Sequence, residues 1–290
     1  WCGSWKVEDH DDFTTEEWLR VFEQLRSLDV VKVLGGEPFV RGDVVDLLRG
    51  IREIIDPYIL QVTTNGMATG RTVEAVHAVA WPGLHLRVSL DGSKTTHDAS
   101  RGVPGAWETA TETLRLVGAL RHRYGFKLGI NFAITDESLS DIEEMINLAD
   151  EVGADLIPGV NVAPFLVNTE LPEVRPQEVV GIADQERALH AIEDRRVGLR
   201  YELPLVDKLV SRLAIRNTFR RQLEGKVHRF PCRELRDLIY LMPNGDVVRC
   251  AMDHRPAGNL REQPFDKIWF GSRISSHRKR VEDCPGCLQA

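Results

Sequence analysis

An α/β fold is the prediction from the first 160 residues: parallel strands in a partial (β/α) barrel. Three observations carry it. Short apolar runs alternate with longer amphipathic stretches, the links between them are short, and the apolar runs are nearly continuous. Parallel strands covered on both faces read that way.

The elements follow in order. Thr14 to Glu17 has the form of a capping box, and Trp18, Phe22, Leu25 and Leu28 continue it at helical spacing. Residues 30–34 read as a strand and 44–55 as a helix. The pattern repeats with strand 59–63 and helix 72–80, then strand 84–90 and helix 107–124. Strand 126–134, helix 139–152 and strand 155–162 complete it, and helical stretches 176–196 and 205–223 follow. These are five strand–helix units. A first strand upstream of Trp1 makes six, too few for a closed eight-stranded barrel and suited to a partial one.

Near Gly225 the character changes. Residues 238–242 and 246–250 flank Pro243-Asn244-Gly245, a strong hairpin signal. The chain therefore divides into residues 1–224, the barrel, and 225–290, a small hairpin-and-helix domain.

Of the 290 residues, 42% are hydrophobic and 28% charged, the balance of a soluble globular protein. The net charge of −7 argues against nucleic acid as a partner. No apolar run reaches the roughly 18 residues of a membrane span, so no membrane partner is expected. Basic residues cluster between Arg273 and Arg280, which reads as a solvated helix face. The chain begins at Trp1 rather than Met, and the expectation is that its true beginning is missing; the end is expected to be cut as well.

Five cysteines are present: Cys2, then Cys232, Cys250, Cys284 and Cys287. A secreted disulfide framework would be smaller and denser in cysteine. A cytoplasmic metal–thiolate site is the better reading of the last four.

Chemistry in parallel α/β folds sits at the C-terminal ends of strands. Those ends read Gly35-Gly36-Glu37-Pro38, Thr63-Thr64-Asn65-Gly66, Ser89-Leu90-Asp91-Gly92 and Gly159-Val160-Asn161-Val162, with Arg101 twelve residues after Ser89. Each taken alone is ordinary turn material. Several in register on one rim point to a ligand.

These motifs resemble the radical S-adenosylmethionine (radical SAM) superfamily. The resemblance covers nearly the whole chain and implies a partial (β/α)6 TIM-like barrel of that type. In the family, a CxxxCxxC loop after the first strand holds three irons of a [4Fe–4S] cluster, and SAM chelates the fourth. Cys2 matches the third of those cysteines and Trp1 the aromatic residue before it. The first two cysteines are not in this sequence, so the ligand set of the SAM-binding cluster is incomplete here. By the resemblance, Gly35, Gly36, Glu37 and Pro38 approach the SAM amino group, where backbone carbonyls accept hydrogen bonds if no Cβ intrudes. Ser89 matches a ribose or carboxylate contact. Arg101 matches the arginine that pairs with the SAM carboxylate, and Asn65 and Val162 match lining positions.

The tail looks like the cluster domain called SPASM, or its shorter relative, twitch. Cys232, Cys250, Cys284 and Cys287 would then ligate an auxiliary [4Fe–4S] cluster. Structural zinc is the competing reading, although Cys₄ zinc sites commonly use two CxxC knuckles and only Cys284-Pro-Gly-Cys287 is one. Complete twitch and truncated SPASM both stay open.

The implied activity is reductive cleavage of SAM to a 5′-deoxyadenosyl radical that takes hydrogen from a substrate. With all four ligands from protein, the auxiliary cluster would accept an electron, suiting small-molecule dehydrogenation or peptide modification. A low-potential electron donor such as flavodoxin or ferredoxin and a small-molecule or peptide substrate are the expected partners. His97, Asp91, Glu170, Asp136 and Tyr240 are candidates for a base, with none preferred; His97 reads as structural. Two other readings stand beside this one: a metal-binding scaffold that has lost SAM chemistry, and an aldolase-like barrel using Lys32 or Lys127.

Overall fold

The computed structural model describes residues 11–160, 232–250 and 253–282, with residues 186, 187, 190 and 213. Five strands, β1 (Val30–Val33), β2 (Ile59–Thr64), β3 (Leu84–Ser89), β4 (Lys127–Ile134) and β5 (Asp155–Val160), form one parallel sheet in sequential order. Helices α1 (Thr15–Gln24), α2 (Val44–Gly50), α3 (Thr69–Val79), α4 (Lys94–Arg101), α5 (Ala106–Tyr124) and α6 (Ile142–Val152) alternate with them. The predicted helices 176–196 and 205–223 lie almost entirely outside the described residues.

Local chemistry explains the element ends. Thr14 Oγ1 accepts the Glu17 amide at 3.2 Å, and Glu17 Oε2 accepts the Thr14 amide at 2.8 Å, so the capping box forms at α1. Helix α2 widens into a π turn at Ile51–Ile55 and stops at Asp56, whose φ of 50° is left-handed. Helix α4 was not expected from the sequence. Its segment Lys94–Arg101 is too polar to show an apolar stripe, and tertiary hydrogen bonds hold it.

One face of the sheet is apolar. Leu60, Leu84, Leu86, Val88, Leu128, Ile130 and Leu156 are each no more than 2% exposed and pack with Val76, Leu114 and Val117 of α3 and α5. Burial of each such side chain contributes about 1.5–3 kcal/mol. The other face corrects the expectation of strands apolar on both sides. Register places Lys32, Gln61, His85 and Lys127 in one cross-strand row and Thr63, Arg87, Gly129 and Asp155 in the next. In β3, burial alternates strictly, with His85, Arg87 and Ser89 half-buried. The polar side chains share the face turned away from the helices.

The small C-terminal sheet is antiparallel, with β6 (Tyr240–Leu241), β7 (Asp246–Cys250) and β8 (Asp253–Asn259), followed by α7 (Phe265–Trp269) and α8 (Ser272–Glu282). The predicted hairpin is present, and Gly245 takes φ 85° in its turn. A Cβ there would overlap the Phe13 ring as well. Strand β8 escaped the sequence reading because it contains proline and glycine and its register against β7 shifts twice. Helix α8 is less solvated than its basic residues imply. Ile274, His277 and Val281 are buried, and Arg278 Nε donates to the Leu235 carbonyl at 2.8 Å.

Helix α1 belongs to two cores at once. Phe22 joins the core of the large sheet, while Phe13, Val21 and Leu25 join Leu235, Val247, Ala257 and Ile268. Phe13 donates its amide to Pro243 at 2.8 Å, and Arg261 Nε lies 2.8 Å from Glu17 Oε1. The Arg261 hydrogen bond, with the Thr14 amide, holds the Glu17 carboxyl down at about 2.

Candidate SAM and cluster sites

The C-terminal ends of the sheet strands carry two hydrogen-bonded groups. The first joins the loops after β1 and β2. Glu37 Oε1 accepts the Phe39 amide at 3.0 Å and the Thr64 hydroxyl at 2.8 Å, while Oε2 accepts the Asn65 amide at 2.6 Å. Glu37 is thus a tie between two adjacent loops. Asn65 Oδ1 accepts the Met67 amide at 2.8 Å, and Thr64 Oγ1 accepts the Gly66 amide at 3.0 Å, so a tight turn follows β2. Gly66 has φ 78°, and a Cβ there would stand 2.9 Å from Val88 Cγ1 and 3.0 Å from the Ala110 Cα. Side-chain volume is excluded there by protein.

Gly35 and Gly36 differ from Gly66 in that respect. Gly35 has φ 135°, and among the described residues a Cβ on either residue would meet nothing within 4 Å. No described side chain fills the space beside them, and bare backbone faces it. That cradle fits a ligand that needs close approach to carbonyl and amide groups.

The second group forms around Asp91, after β3. Arg101 Nε lies 2.9 Å from Asp91 Oδ2, and Ser100 Oγ donates to the same oxygen at 2.9 Å. The Asp91 amide donates to His97 Nδ1 at 3.0 Å. Asp91 and His97 are buried, whereas the Arg101 side chain keeps 33% exposure. Arg101 is therefore held from behind by its Nε. Its fork remains directed by a buried carboxylate, an arrangement suited to a second, external carboxylate.

Two further carboxylates position α4. Asp98 accepts the amides of Gly105 and Trp107 at 2.9 and 2.8 Å, which lowers its pKa and caps α5. Asp141 Oδ2 accepts the Ser93 amide at 2.9 Å and the Thr96 hydroxyl at 2.5 Å. Burial pushes the Asp141 carboxyl up, but the Thr96 and Ser93 hydrogen bonds outweigh it and the net shift is downward. The sequence reading missed both. Asp98 sits inside α4 and reaches forward to amides seven and nine residues on, and Asp141 arrives from 45 residues beyond Thr96, so neither had a local sequence signal.

His97 is structural, as its sequence setting suggested. An amide N–H pointing at Nδ1 requires a lone pair there, so the proton of the neutral ring sits on Nε2. Burial first, then the Arg101 charge, lowers its pKa to about 4 against the partial opposition of Asp91 and Asp98. Because the folded pKa lies below the unfolded one, stability rises with pH between about 4 and 6.5. Imidazole ¹⁵N shifts at pH 6 should report a neutral His97 protonated at Nε2. A cationic ring at that pH would contradict the assignment.

Ser89 ends β3 opposite Asn131, beside the Thr64 end of β2. Cys2, Val162, Cys284, Cys287 and Glu170 lie outside the described residues. Cys232 is exposed and Cys250 half-buried at the end of β7. Lys127 opens β4, at the strand end opposite Ser89 and Arg101, and Lys32 shares its row. That position removes Lys127 from the aldolase reading, since barrel chemistry belongs to the other rim.

The model of the radical SAM superfamily matches residues 1–149, about half of the chain. The chain belongs to the radical SAM superfamily. An iron–sulfur cluster-binding domain model, SPASM, matches residues 232–288. This radical SAM protein is an enzyme, and its cofactors are SAM and [4Fe–4S] clusters. It is 28% identical over 294 aligned positions to an AdoMet-dependent heme synthase of Methanosarcina barkeri, covering 95% of this chain and 78% of that protein. It is 36% identical to a pre-heme d1 synthase of Dinoroseobacter shibae over 42% of this chain and 28% of that one. Among solved structures, Streptococcus suis SuiB bound to S-adenosylmethionine superposes with a TM-score of 0.63 at 18% identity, covering 92% of this chain. The chain spans 60% of the length of that SuiB chain. The SuiB likeness supports the partial barrel. Among the described residues no helix is long and apolar enough to cross a membrane.

Proposed function

We propose that this enzyme binds SAM at the rim formed by Gly35–Pro38, Asn65, Ser89 and Arg101, with Val162 as a further contact, and uses it to oxidise a small molecule of the haem-precursor class. The observation that carries the SAM site is that no described residue fills the space beside Gly35 and Gly36, together with Arg101 held from behind by Asp91. The substrate class rests on the name of the relative from Methanosarcina barkeri, which aligns with 95% of this chain.

Cys2 would serve the SAM-binding cluster, and Cys232, Cys250, Cys284 and Cys287 the auxiliary one. Thiolates are the soft donors that iron–sulfur clusters take. When bound, the cluster and SAM supply a carbon radical that takes a hydrogen atom from the substrate. The protein's own part is to orient and to exclude water. Glu37 fixes the loop that carries Gly35 and Gly36, and Asp91 aims the Arg101 fork. His97 and Asp91 are poor candidates for a base, because His97 Nδ1 already accepts the Asp91 amide and the Asp91 carboxylate already accepts from Ser100 and Arg101. A division at residues 1–224 and 225–290 is part of the proposal. The change from parallel to antiparallel sheet and the domain match from residue 232 support it. Cytoplasmic location and a flavodoxin- or ferredoxin-type donor follow from the need for electrons at low potential.

The test is anaerobic reconstitution, with iron and sulfide, of the protein carrying all three cysteines of the CxxxCxxC loop, followed by SAM, dithionite and a porphyrin with carboxylate side chains. The expected result is formation of 5′-deoxyadenosine with a porphyrin product of lower mass. Cleavage of SAM with unchanged porphyrins and modification of a supplied peptide would overturn the substrate class. Absence of SAM cleavage would overturn the site.

A further inference from the structure

Cys250 stands beside an unusual concentration of arginine. It pairs across the β7–β8 ladder with Asp253, whose side chain is only 6% exposed. Three guanidinium groups surround that one carboxylate. Arg249 Nε is 3.0 Å from Asp253 Oδ2, Arg255 Nε is 2.6 Å from Oδ1 and its Nη2 2.5 Å from Oδ2, and Arg280 Nη2 is 3.8 Å from Oδ2. Arg249 also donates to the Arg280 carbonyl at 3.3 Å, which binds β7 to α8.

Among the described residues, three guanidinium groups thus converge on one buried carboxylate. His277 packs against this group, and burial lowers its pKa, so it adds no cation at neutral pH. A single arginine would satisfy Asp253 bidentately, as Arg255 already does. Neutralising Asp253 therefore leaves Arg249 and Arg280 unexplained.

We infer that Arg280, with Arg249 and Arg255, raises the reduction potential of the auxiliary cluster held by Cys250, equipping it to take an electron from the oxidised substrate. The inference rests on the thiolate assignment made above. Four thiolates leave a [4Fe–4S] group anionic, and taking one electron adds a further negative charge. Fixed positive charge nearby favours that more negative state, and net charge is one of the levers that set cluster potentials. Asp253 acts by gathering the arginines beside Cys250, so the arginines are positioning and tuning residues rather than catalytic ones.

Arg280 is the residue to change, because Arg249 and Arg255 still neutralise Asp253 in its absence and its side chain is 42% exposed. The reconstituted protein, Arg280→Gln and Arg280→Lys are compared by iron and sulfide content and by EPR redox titration, with dithionite supplying the electron. The auxiliary signal is the one that added SAM leaves unchanged. The expected result is full cluster content in all three, with one-electron reduction about tenfold less favourable in Arg280→Gln, about 59 mV lower, and near wild type in Arg280→Lys. An unaltered potential in Arg280→Gln with the cluster intact would overturn this inference alone. An equal loss in Arg280→Lys would assign the effect to packing and overturn it too. A wild-type protein without any auxiliary cluster would overturn the thiolate assignment along with it.

Discussion

Replacing Arg101 by Ala is expected to weaken SAM binding about a hundredfold, the scale of a lost charge-assisted pair at roughly 3 kcal/mol. Fold stability should change little by comparison, because the Arg101 side chain is one-third exposed and ends α4. Asp91→Asn makes the sharper test. It leaves the arginine in place but removes the charge behind it, so the fork loses its aim rather than its chemistry. A smaller loss of about tenfold, roughly 1.4 kcal/mol, is expected. Equilibrium binding of SAM to the reconstituted protein measures both. Wild-type affinity in Arg101→Ala would remove Arg101 from the site. A loss in Asp91→Asn equal to that in Arg101→Ala, with unfolding curves unchanged, would mean that Asp91 itself meets the ligand.

Glu37→Gln should damage both stability and SAM binding. The carboxylate accepts from two amides and one hydroxyl, spanning the loops after β1 and β2. An amide in its place keeps one acceptor oxygen and turns an N–H₂ toward a donor. One of the Phe39 and Asn65 amides is then left facing a hydrogen. Hydrogen bonds to charged groups contribute about 1.5–3 kcal/mol each, and an unsatisfied donor costs about 1–3. The expected loss is about 2–3 kcal/mol in denaturant unfolding, with SAM affinity reduced at least tenfold because Gly35 and Gly36 ride on the same loop. Loss of affinity without loss of stability would assign Glu37 to the ligand directly. Loss of neither would show that the bridge between the loops is dispensable.

Much of the large domain was legible in the sequence because strand and helix differ in period. Strands β2 to β4 and helices α1, α5 and α6 fall close to their predicted ranges. Each had a clean apolar run or a capping signal. Helix α4 was invisible, since its polar residues have no stripe and its order comes from Asp98 and Asp141. Strand β8 was hidden for a related reason, because its pairing with β7 is irregular and its proline and glycine read as a turn. The basic stretch after Arg273 was misleading in the opposite direction. Its charges suggested a solvated face, while three residues of the same helix lie buried.

The site divides the same way. Glycines that bare the backbone, and an arginine after a Ser-Leu-Asp-Gly turn, carry their meaning in residue type and spacing, so the family and its cofactors were readable before any coordinates. What each side chain holds was not. Glu37 binds residues up to 28 positions away, and Asp141 reaches back across more than 40. Asp253 gathers an arginine from α8. Period and composition are local properties of a chain and determine its elements. Hydrogen bonds between loops at neighbouring strand ends depend on register and on the order of strands in the sheet, and only the tertiary structure supplies those.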